Sequence, residues 1–492
     1  MKRFIVAIDQ GTTSSRAILF SLSGKSIYSS QKEFKQYFPK DGWVEHNPNE
    51  IWNTTKKVLI DVIKKSKRLK GKILTIGITN QRETTILWNK KTGKPVYNAI
   101  VWQDRRTAEF CKKFKTNKKE KFINRRTGLL IDPYFSATKI KWILDNVVIA
   151  KRLLRNNNLL FGTIDTFLLW KLTKGKIHAT DATNASRTML FNISRNKWDK
   201  DILKILNIPK NILPTVKDSS DDFGVTDKSI TGTSYPINGV VGDQQAATIG
   251  QSCFEKGSVK STYGTGAFVL MNTGNKKIYS KNKLLTTICY RLNGKITYAL
   301  EGSIFIAGAG VQWLRDKIKL INNAAETEKI AKSLKSNNGI YLVPAFTGLG
   351  APYWNPNSRG IICGLTRDTS KKEIVRATLE SVAYQSYDLF NAMKNDGLRP
   401  NLVKVDGGMV KNNWFSQFLS DIIDLEVIRP KANEATALGA ALMAGLKIGV
   451  FKSLKDFSKN WKIDKKFYPK INKVNRSKLL KGWKQAITKT LI

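Results

Sequence analysis

The sequence predicts an α/β protein built from two related lobes, and three observations lead to this fold class. Its 492 residues exceed what a single hydrophobic core normally serves, so more than one domain is expected. Strand-like apolar runs alternate with amphipathic helical runs along most of the chain. A distinctive hairpin pattern also occurs twice, with about half of the chain between its two copies.

The first hairpin pattern lies close to the N-terminus. An apolar run ends at Asp9, a turn rich in Gly, Thr and Ser follows, and a second apolar run continues to Phe20. The same pattern recurs over residues 258–270, with Thr265 in the place of Thr12. Two hairpins of one kind suggest two related lobes, and we expect their boundary near residues 245–257.

Further runs predict the remaining elements of the lobes. Strands are predicted at residues 73–79, 84–88 and 402–405, and helices at 51–63, 137–146, 371–389, 412–423 and 434–445. The last helix is rich in Ala and Gly, which suits it to close packing. We therefore predict an N-terminal lobe over 1–250, a C-terminal lobe over 251–450 and a Lys-rich helical extension over 451–492.

Composition argues against several classes of protein. Hydrophobic residues make up 41% of the chain, which is ample for large cores and argues against bulk disorder. The 4 cysteines form no Cys-x-x-Cys pair and only 2 histidines are present, which argues against a disulfide framework or a His-rich metal centre. Apolar runs are too short to cross a bilayer, so we expect a cytoplasmic protein without a membrane span.

The net charge of +46, from 84 Lys and Arg against 38 Asp and Glu, raises nucleic-acid binding as a hypothesis. The lysines are spread along the whole chain, however, and form no basic stripe. We therefore expect a solvated basic surface and no specific nucleic acid. The nucleic-acid alternative predicts binding with a steep salt dependence.

The first hairpin turn, residues 9–14, is the best candidate for a phosphate-binding loop. Gly11 allows the backbone to approach an anion closely, and three hydroxyls and several N–H groups lie in the turn. Asp9 ends the preceding strand and is suited to hold hydrated Mg²⁺ beside the phosphates. A plain hairpin turn is the alternative, but the second turn at residues 264–266 favours two loops that grip a triphosphate.

Two other turns rich in small residues are candidates for the adenosine site. Residues 406–408 follow a predicted strand, and their two glycines leave no side chain to obstruct a flat ring. Residues 308–310 form a similar turn, with Gln312 just beyond it. Taken alone, each of these turns is more often a tight structural turn.

Charged and aromatic residues in the first half are candidates for an acceptor site. Arg82 and Glu83 follow a predicted buried strand, where charges need partners, and Trp102 and Tyr134 offer an aromatic wall and a phenol. Phosphoryl transfer to an alcohol needs a base near the attacking hydroxyl. With histidine nearly absent, a carboxylate is expected, and Asp243 in its glycine turn is the best candidate. The alternative role for this residue is a helix cap.

Several long motifs, taken in order, resemble those of the FGGY family of carbohydrate kinases, and in particular its branch that phosphorylates glycerol. The motifs are residues 9–16, 42–46, 77–85 and 345–354, together with 134–146, which include Lys139 and Trp142, and 360–380, which include Gly364 and Glu380. The resemblance covers nearly the whole chain to about residue 450.

This resemblance implies two ribonuclease-H-like lobes of the actin and hexokinase type around a central cleft. It also implies Mg²⁺-dependent phosphoryl transfer from ATP to glycerol, giving sn-glycerol 3-phosphate and ADP. By matching motifs, the nucleotide site would contain Thr12, Thr13, Ser14, Arg16, Thr265, Gly308, Gln312, Gly408 and Asn412, with Asp9 on the metal side. The glycerol site would contain Arg82, Glu83, Trp102, Tyr134, Asp243, Gln244 and Phe268, with Asp243 as the general base.

One loop departs from the family pattern. Bacterial relatives have a Gly-Gly-Thr-Arg loop linked to control by a sugar bisphosphate, whereas residues 231–235 read Thr-Gly-Thr-Ser-Tyr. Loss of the arginine removes a bidentate phosphate contact, so we expect this regulation to be absent or weak. We also expect a homodimer or homotetramer. The alternatives are an FGGY kinase for another polyol or sugar such as xylulose, a nucleic-acid-binding protein and an inactive actin-like scaffold.

Overall fold

The computed structural model describes residues 1–355, 357–431, 434–459 and 461–491. The chain divides into two compact units. The first unit contains Met1–Ser252, Thr286–Tyr298 and Glu434–Asn460, and the second contains Cys253–Leu285, Ala299–Asn433 and Trp461–Ile492. The chain therefore leaves the first unit and returns to it twice.

The elements of the first 252 residues alternate between strands and helices. The strands are β1 (Lys2–Gln10), β2 (Ser14–Ser21), β3 (Ser26–Glu33), β4 (Glu45–His46), β5 (Gly71–Asn80), β6 (Ile86–Asn89), β7 (Ala99–Ile100), β8 (Leu159–Gly162), β9 (Ala179–Asp181), β10 (Phe191–Asn192), β11 (Lys197–Trp198), β12 (Thr215–Lys217) and β13 (Ile237–Gly242). The helices are α1 (Pro48–Arg68), α2 (Ala108–Phe114), α3 (Asn117–Thr127), α4 (Ser136–Asn146), α5 (Val148–Arg155), α6 (Ile164–Leu172), α7 (Ala182–Ala185), α8 (Lys200–Leu206), α9 (Lys228–Thr231) and α10 (Asp243–Gly250), with a 3₁₀ turn at Lys210–Ile212.

The rest of the chain has the same alternation. Its strands are β14 (Val259–Tyr263), β15 (Ala267–Gly274), β16 (Leu285–Leu292), β17 (Lys295–Ile304), β18 (Tyr341–Val343), β19 (Ile361–Cys363), β20 (Leu402–Asp406), β21 (Glu426–Pro430) and β22 (Ile463–Phe467). Its helices are α11 (Gly308–Asp316), α12 (Glu326–Ser333), α13 (Lys371–Asn395), α14 (Asn413–Ile423), α15 (Ala435–Lys447), α16 (Leu454–Ser458) and α17 (Lys473–Thr488), with a 3₁₀ turn at Gly408–Lys411.

The first unit is built on a five-stranded sheet with the order β13-β5-β1-β2-β3. β1, β2 and β3 form an antiparallel meander, and β5 and β13 continue the sheet parallel to β1. The middle of β1 is buried because helices α1 and α15 both pack against the sheet. This arrangement brings the carboxyl ends of β1, β5 and β13 to the same edge.

Helix α15 packs closely on β5, β13 and α10, as its Ala- and Gly-rich sequence predicts. A Cβ at Gly439 would overlap the carbonyl of Ala246, and a Cβ at Gly77 would overlap the carbonyl of Ala440. Glycine is thus required on both surfaces for the backbones to approach this closely. The helix falls within the predicted 251–450 lobe, but it belongs to the first unit.

The second unit repeats the same strand pattern. β14 and β15 are antiparallel, and β20 and β21 continue the sheet parallel to β14. The neighbour of β15 on the other side is β17, of which Ala299–Ile304 lies in this unit. The order β17-β15-β14-β20-β21 therefore matches β3-β2-β1-β5-β13. The two related lobes that the repeated hairpin predicts are confirmed by this common topology.

The C-terminal segment is more than the helical extension that the sequence predicts. Strand β22 pairs antiparallel with β21 and widens the second sheet by one strand. On α17, the ring of Trp483 stacks on Tyr384 at 5.4 Å between centroids, and its Nε1 donates to Asp388 at 2.8 Å. The Lys and Asp residues of β22 leave it mostly exposed, which explains why hydrophobic patterning does not reveal it.

The other predicted elements are found within a few residues of their expected positions. Among the described residues, no helix has both the length and the apolar character that crossing a membrane requires.

Candidate functional site

The first hairpin turn connects β1 to β2 through Gly11, Thr12 and Thr13. The Gly11 N–H donates to the carbonyl of Ser14 at 2.9 Å. Within the described part of the chain, the backbone N–H groups of Thr12 and Thr13 have no hydrogen-bond partner. A turn with adjacent unpaired N–H groups can bind an anion, as expected for a phosphate loop.

Side chains from three other segments hold this turn. Gln36 Nε2 donates to the Thr12 carbonyl at 2.8 Å, and Gln81 Nε2 donates to the Gly11 carbonyl at 3.0 Å. The indole Nε1 of Trp102 donates to Thr12 Oγ1 at 3.0 Å. The turn is therefore ordered by contacts to its carbonyls and its first hydroxyl.

A short chain of charges lies next to the turn. Arg16 on β2 pairs with Asp9 at the end of β1, with 2.7 Å between Nη2 and Oδ2, and its Nη1 lies 2.6 Å from Glu434 Oε2. Burial acts to lower the pKa of Arg16, but the two carboxylates outweigh it and the pKa is raised. Arg16 is therefore a permanent cation beside the turn, and Asp9 keeps 12% of its side chain exposed.

Arg82 and Glu83 follow β5 and are both buried, as their side chains are 1% and 2% exposed. Arg82 Nε lies 3.2 Å from Asp243 Oδ1, and its Nη1 donates to Gln245 Oε1 at 3.1 Å. Glu83 Oε1 accepts from Arg187 Nε at 2.6 Å. The partners that buried charges require are thus present in the first unit, and they include two residues that the sequence did not indicate.

Asp243 is the first residue of α10, directly after β13. Its Oδ1 accepts from the backbone N–H of Gln244 at 2.7 Å. The side chain therefore satisfies one N–H group of the first helical turn, which is part of the helix-capping role considered from the sequence. The N-cap position itself belongs to Gly242. A Cβ at Gly242 would lie 2.8 Å from Cγ and Cδ of Arg82, so only glycine lets the arginine lie across the turn. Asp243 remains 28% exposed, in contrast to Glu83.

Tyr134 and Trp102, which the sequence suggests as a phenol and an aromatic wall, lie next to each other in the first unit. Their rings are 5.9 Å apart in an edge-to-face arrangement, and the Tyr134 hydroxyl lies 3.5 Å from Arg82 Nη2. Lys139 on α4 is fully buried, and its Nζ donates to the Tyr134 carbonyl at 2.7 Å and the Glu83 carbonyl at 3.4 Å. Burial lowers the pKa of Lys139 to about 7.

A buried polar network supports the turn before Asp243. Asp181 accepts hydrogen bonds from the hydroxyls of Thr183 and Ser219, and Thr183 Oγ1 in turn accepts from the Gly242 N–H at 2.8 Å. Burial raises the pKa of Asp181, although these hydrogen bonds act to lower it. The network fixes the backbone of the turn that carries Asp243.

The second unit contains a cavity of about 520 Å³ that is lined by all five nucleotide-site residues predicted for this half of the chain. They are Thr265, Gly308, Gln312, Gly408 and Asn412. A Cβ at Gly408 would meet no described atom within 4 Å, so this residue faces open space. At Gly408, one of the two glycines where the sequence suggests room for a flat ring, no side chain projects into the cavity.

The turn between β14 and β15 forms one edge of this cavity. Its backbone is bonded to the start of α11, since the Ala307 and Ala309 N–H groups donate to the Thr265 carbonyl at 2.9 and 3.0 Å. The Gly308 N–H donates to the Gly264 carbonyl at 2.8 Å, and a Cβ at Gly308 would lie 2.6 Å from that oxygen. Close backbone packing therefore sets the shape of this edge.

Asn412 and Phe268 complete the placement of the predicted residues in the second unit. Asn412 caps α14, because its Oδ1 accepts from the Phe415 N–H at 2.9 Å, and its Nδ2 donates to Thr327. Phe268 lies half-buried on β15, opposite Thr262. Phe268 belongs to the second unit, whereas the other predicted acceptor residues belong to the first.

Metal-ligating side chains do not cluster in the described part of the chain, where no group of three or more His, Cys, Asp or Glu could hold an ion.

The loop at residues 231–235, which departs from the family pattern, begins at the last residue of α9. Its Gly232 has a positive φ of 77°, and a Cβ at this residue would meet no described atom within 4 Å. Thr231 at that helix end is held by Thr226 at 2.9 Å between hydroxyls.

The two α/β units share the topology of actin- and hexokinase-like proteins, and comparison with known proteins identifies the family. The FGGY family of carbohydrate kinases matches through its N-terminal domain over residues 4–250 and through its C-terminal domain over 259–448. The chain belongs to this family. The predicted family and its two-domain, actin- and hexokinase-like α/β fold are confirmed.

Individual relatives are similar over their full length. The chain is 57% identical over 490 residues to a glycerol kinase of Alteromonas mediterranea and 55% identical over 487 residues to glycerol kinase 1 of Pseudomonas aeruginosa, with 99% of each chain covered in both cases. Among solved structures, glycerol kinase of Plasmodium falciparum with ADP is similar, with a TM-score of 0.93 and 40% identity. That match covers 100% of this chain and 99% of the other.

Sequence reasoning missed Arg187, Gln245 and the Asp181 network. Arg187 is a fully buried arginine in a loop after α7, and it lies over the rings of Tyr134 and Phe135 at 5.6 and 5.4 Å. A buried arginine gives no signal in the sequence unless its carboxylate partner is known. The unexplained charge at Glu83 was the only indication.

Proposed function

We propose that this protein is a glycerol kinase that transfers the γ-phosphoryl group of ATP to glycerol, with Asp243 as general base. The observation that carries the proposal is the cluster of Arg82, Glu83, Tyr134 and Asp243 in the first unit, in a chain that is 57% identical to a named glycerol kinase. ATP as the donor is supported by the family and by the similar glycerol kinase structure that contains ADP.

The chemistry of the cluster suits a small polyol. Glycerol has three hydroxyls and little apolar surface, so hydrogen-bonding side chains must supply its specificity. Arg82 offers donors, Glu83 offers acceptors and the Tyr134 hydroxyl offers both, while the Trp102 ring can contact the carbon chain. A site whose buried polar groups stay unpaired rejects substrates that lack the matching hydroxyls. Gln244 and Phe268 are further proposed contacts.

Asp243 is the best candidate for the base because of its exposure and its fixed position. Glu83 is buried and engaged by Arg187, whereas Asp243 is partly exposed and anchored by Arg82 and the Gln244 N–H. In the transfer step, Asp243 accepts the proton of the attacking hydroxyl while the hydroxyl oxygen forms a bond to the γ-phosphorus. The bond from that phosphorus to the ADP oxygen breaks, and ADP leaves.

The turn at Gly11–Thr13 would contact the ATP phosphates through its N–H groups, the hydroxyls of Thr12, Thr13 and Ser14, and the Arg16 cation. Thr265, Gly308, Gln312, Gly408 and Asn412 would hold the nucleoside in the second unit's cavity. Mg²⁺ usually binds through one or two carboxylates plus substrate phosphates, and Asp9, which pairs with Arg16 and is 12% exposed, would supply one carboxylate. When bound, the ion would neutralise charge on the phosphates.

An assay of ADP release across a panel of acceptors tests the proposal. Purified protein with ATP and Mg²⁺ is given glycerol, xylulose, glycerone or no acceptor. We expect the kcat/KM for glycerol to be much the highest. Higher kcat/KM for xylulose would assign the protein to another branch of the family, and no release with any acceptor would contradict kinase activity.

The cytoplasmic location and the homodimer or homotetramer also belong to this proposal. Light scattering coupled to size-exclusion chromatography would measure the assembly. A mass of one chain at working concentration would contradict an oligomer.

A further inference from the structure

The chain has 2 histidines, and the transfer step uses neither of them. His46 ends β4 just before α1 and is completely buried. Burial lowers its pKa to about 3, so the imidazole is neutral at physiological pH. Both ring nitrogens nevertheless lie within hydrogen-bond distance of glutamine amides, Nε2 at 2.8 Å from Gln36 and Nδ1 at 3.3 Å from Gln81.

The surrounding hydrogen bonds fix the tautomer of His46. Gln36 uses its amide nitrogen to donate to the Thr12 carbonyl, so its Oε1 faces the imidazole and must accept. His46 therefore carries its proton on Nε2. Its Nδ1 is then the acceptor that faces the amide nitrogen of Gln81, which also lies 3.0 Å from the Gly11 carbonyl and 3.1 Å from Gln10 Oε1. The Oε1 of Gln81 accepts from the Thr84 hydroxyl.

The two amides connect this one ring to consecutive carbonyls of the phosphate loop. Gln36 donates to the Thr12 carbonyl at 2.8 Å, and Gln81 donates to the Gly11 carbonyl at 3.0 Å, beside a second donor to that oxygen, Gln10 Nε2 at 2.8 Å. A peptide group is planar and trans, so the carbonyl of one residue points opposite to the N–H of the next. Fixing the Gly11 and Thr12 carbonyls therefore fixes the directions of the Thr12 and Thr13 N–H groups.

These N–H groups are the two in the turn that have no partner among the described residues. We propose that His46 is a positioning residue of the phosphate loop, which orients the Thr12 and Thr13 N–H groups toward the nucleotide phosphates through Gln36 and Gln81. The inference rests on the proposed function, because it takes the ligand of this turn to be the ATP phosphates. A rigid set of donors needs no reorganisation when the anion binds.

The alternative is that His46 only contributes to packing. The other histidine, His178, provides the control. His178 is in the same unit, its Nε2 lies 2.8 Å from the Phe161 carbonyl, and its ring contacts Trp88 at 5.6 Å. Burial lowers its pKa to about 4, so it too is neutral. Its hydrogen bond goes to β8 and not to the turn, so replacing it reports the loss of a histidine and its hydrogen bond away from the phosphate loop.

The test compares His46→Phe with His178→Phe in the full-length protein. Calorimetry measures the binding of ATP and of adenosine, and steady-state assays give KM for each substrate. For His46→Phe we expect ATP affinity to fall about tenfold, since two bridges lose a partner, with adenosine affinity and the KM for glycerol changed less than about twofold. For His178→Phe we expect all these quantities to stay within about twofold.

Two conservative variants sharpen the test. His46→Gln can retain the bond to Gln36, and His46→Asn can retain the bond to Gln81, so each should keep part of the ATP affinity. Equal loss of ATP and adenosine affinity in His46→Phe, or wild-type ATP affinity in that variant, would overturn the inference. Absence of glycerol phosphorylation by the wild-type protein would instead contradict the proposed function, so the two failures can be told apart.

Discussion

The hairpin turns of the two units have equivalent places in equivalent sheets, yet they are held in different ways. Side chains hold the turn at Gly11–Thr13: three glutamines donate to its carbonyls and an indole donates to its hydroxyl. Backbone groups hold the turn at Gly264–Gly266, where N–H groups at the start of α11 bind the carbonyls of Gly264 and Thr265.

This difference matches the proposed ligands. When side chains bind only the carbonyls and one hydroxyl of a turn, its N–H groups remain available to bind an anion. A turn packed backbone to backbone, beside a glycine such as Gly408, forms a smooth surface for a flat ring. The same hairpin would thus serve phosphate recognition in one unit and nucleoside recognition in the other, and the acceptor chemistry would accompany the first.

The largest effect is expected in the first unit. Asp243→Asn should lower kcat about 10³-fold, because an amide cannot accept the hydroxyl proton while the side chain keeps its size and most of its contacts. Circular dichroism should show an unchanged fold. Asp145→Asn, on the exposed end of α4, is the control and should leave kcat unchanged. Near-normal turnover of Asp243→Asn would remove the base assignment.

The second unit should respond through nucleotide binding. Gly308→Ala places a methyl group against the Gly264 carbonyl, so it should lower stability by about 1–3 kcal/mol and raise the KM for ATP. The methyl group of Gly408→Ala meets no described atom within 4 Å, so thermal unfolding should be unchanged while the KM for ATP rises several-fold. If Gly408→Ala bound ATP normally, the ring would not lie at this surface.

A smaller effect, on the pH dependence of stability, is expected at Lys139, which donates to the backbone carbonyls of Tyr134 and Glu83. Because the pKa of Lys139 is lowered to about 7, the folded protein loses this proton as pH rises above 7, where the unfolded chain still keeps it. The free energy of unfolding of the wild type should therefore rise with pH relative to Lys139→Met, by up to about 1.4 kcal/mol per pH unit. Urea unfolding at pH values of about 7 and 9 measures this difference, and parallel pH dependences would contradict it.

The smallest effect is expected at the loop that departs from the family. Gly232 and Ser234 provide no guanidinium, so fructose bisphosphate should change the rate less than about twofold. Ser234→Arg restores the charge and is the matched variant. Strong inhibition of the wild type at ordinary concentrations would show that other groups bind the effector.

Local patterns account for what could be predicted from the sequence. The repeated hairpin, the helix starting at Lys371 and the Ala-rich α15 each follow from periodicity or composition over neighbouring residues. The return of α15 to the first unit and the addition of β22 to the second sheet depend on tertiary pairing, which local patterns do not encode.

The candidate site likewise contains residues that local patterns indicate and residues that they do not. Arg82, Glu83 and Asp243 could be recognised because charges beside buried strands and glycine turns stand out in a sequence. Arg187, Gln245 and the bridges from His46 could not, since their contacts involve atoms contributed by distant segments. His46, one of the 2 histidines of the chain, lies between two side-chain amides from separate segments.

Phosphorus NMR of the wild-type protein with ATP, Mg²⁺ and glycerol tests the central claim most directly. We expect a glycerol 3-phosphate signal that grows in step with ADP and does not appear without glycerol. ATP that stays intact, or that yields ADP and inorganic phosphate at the same rate with and without glycerol, would contradict the assignment.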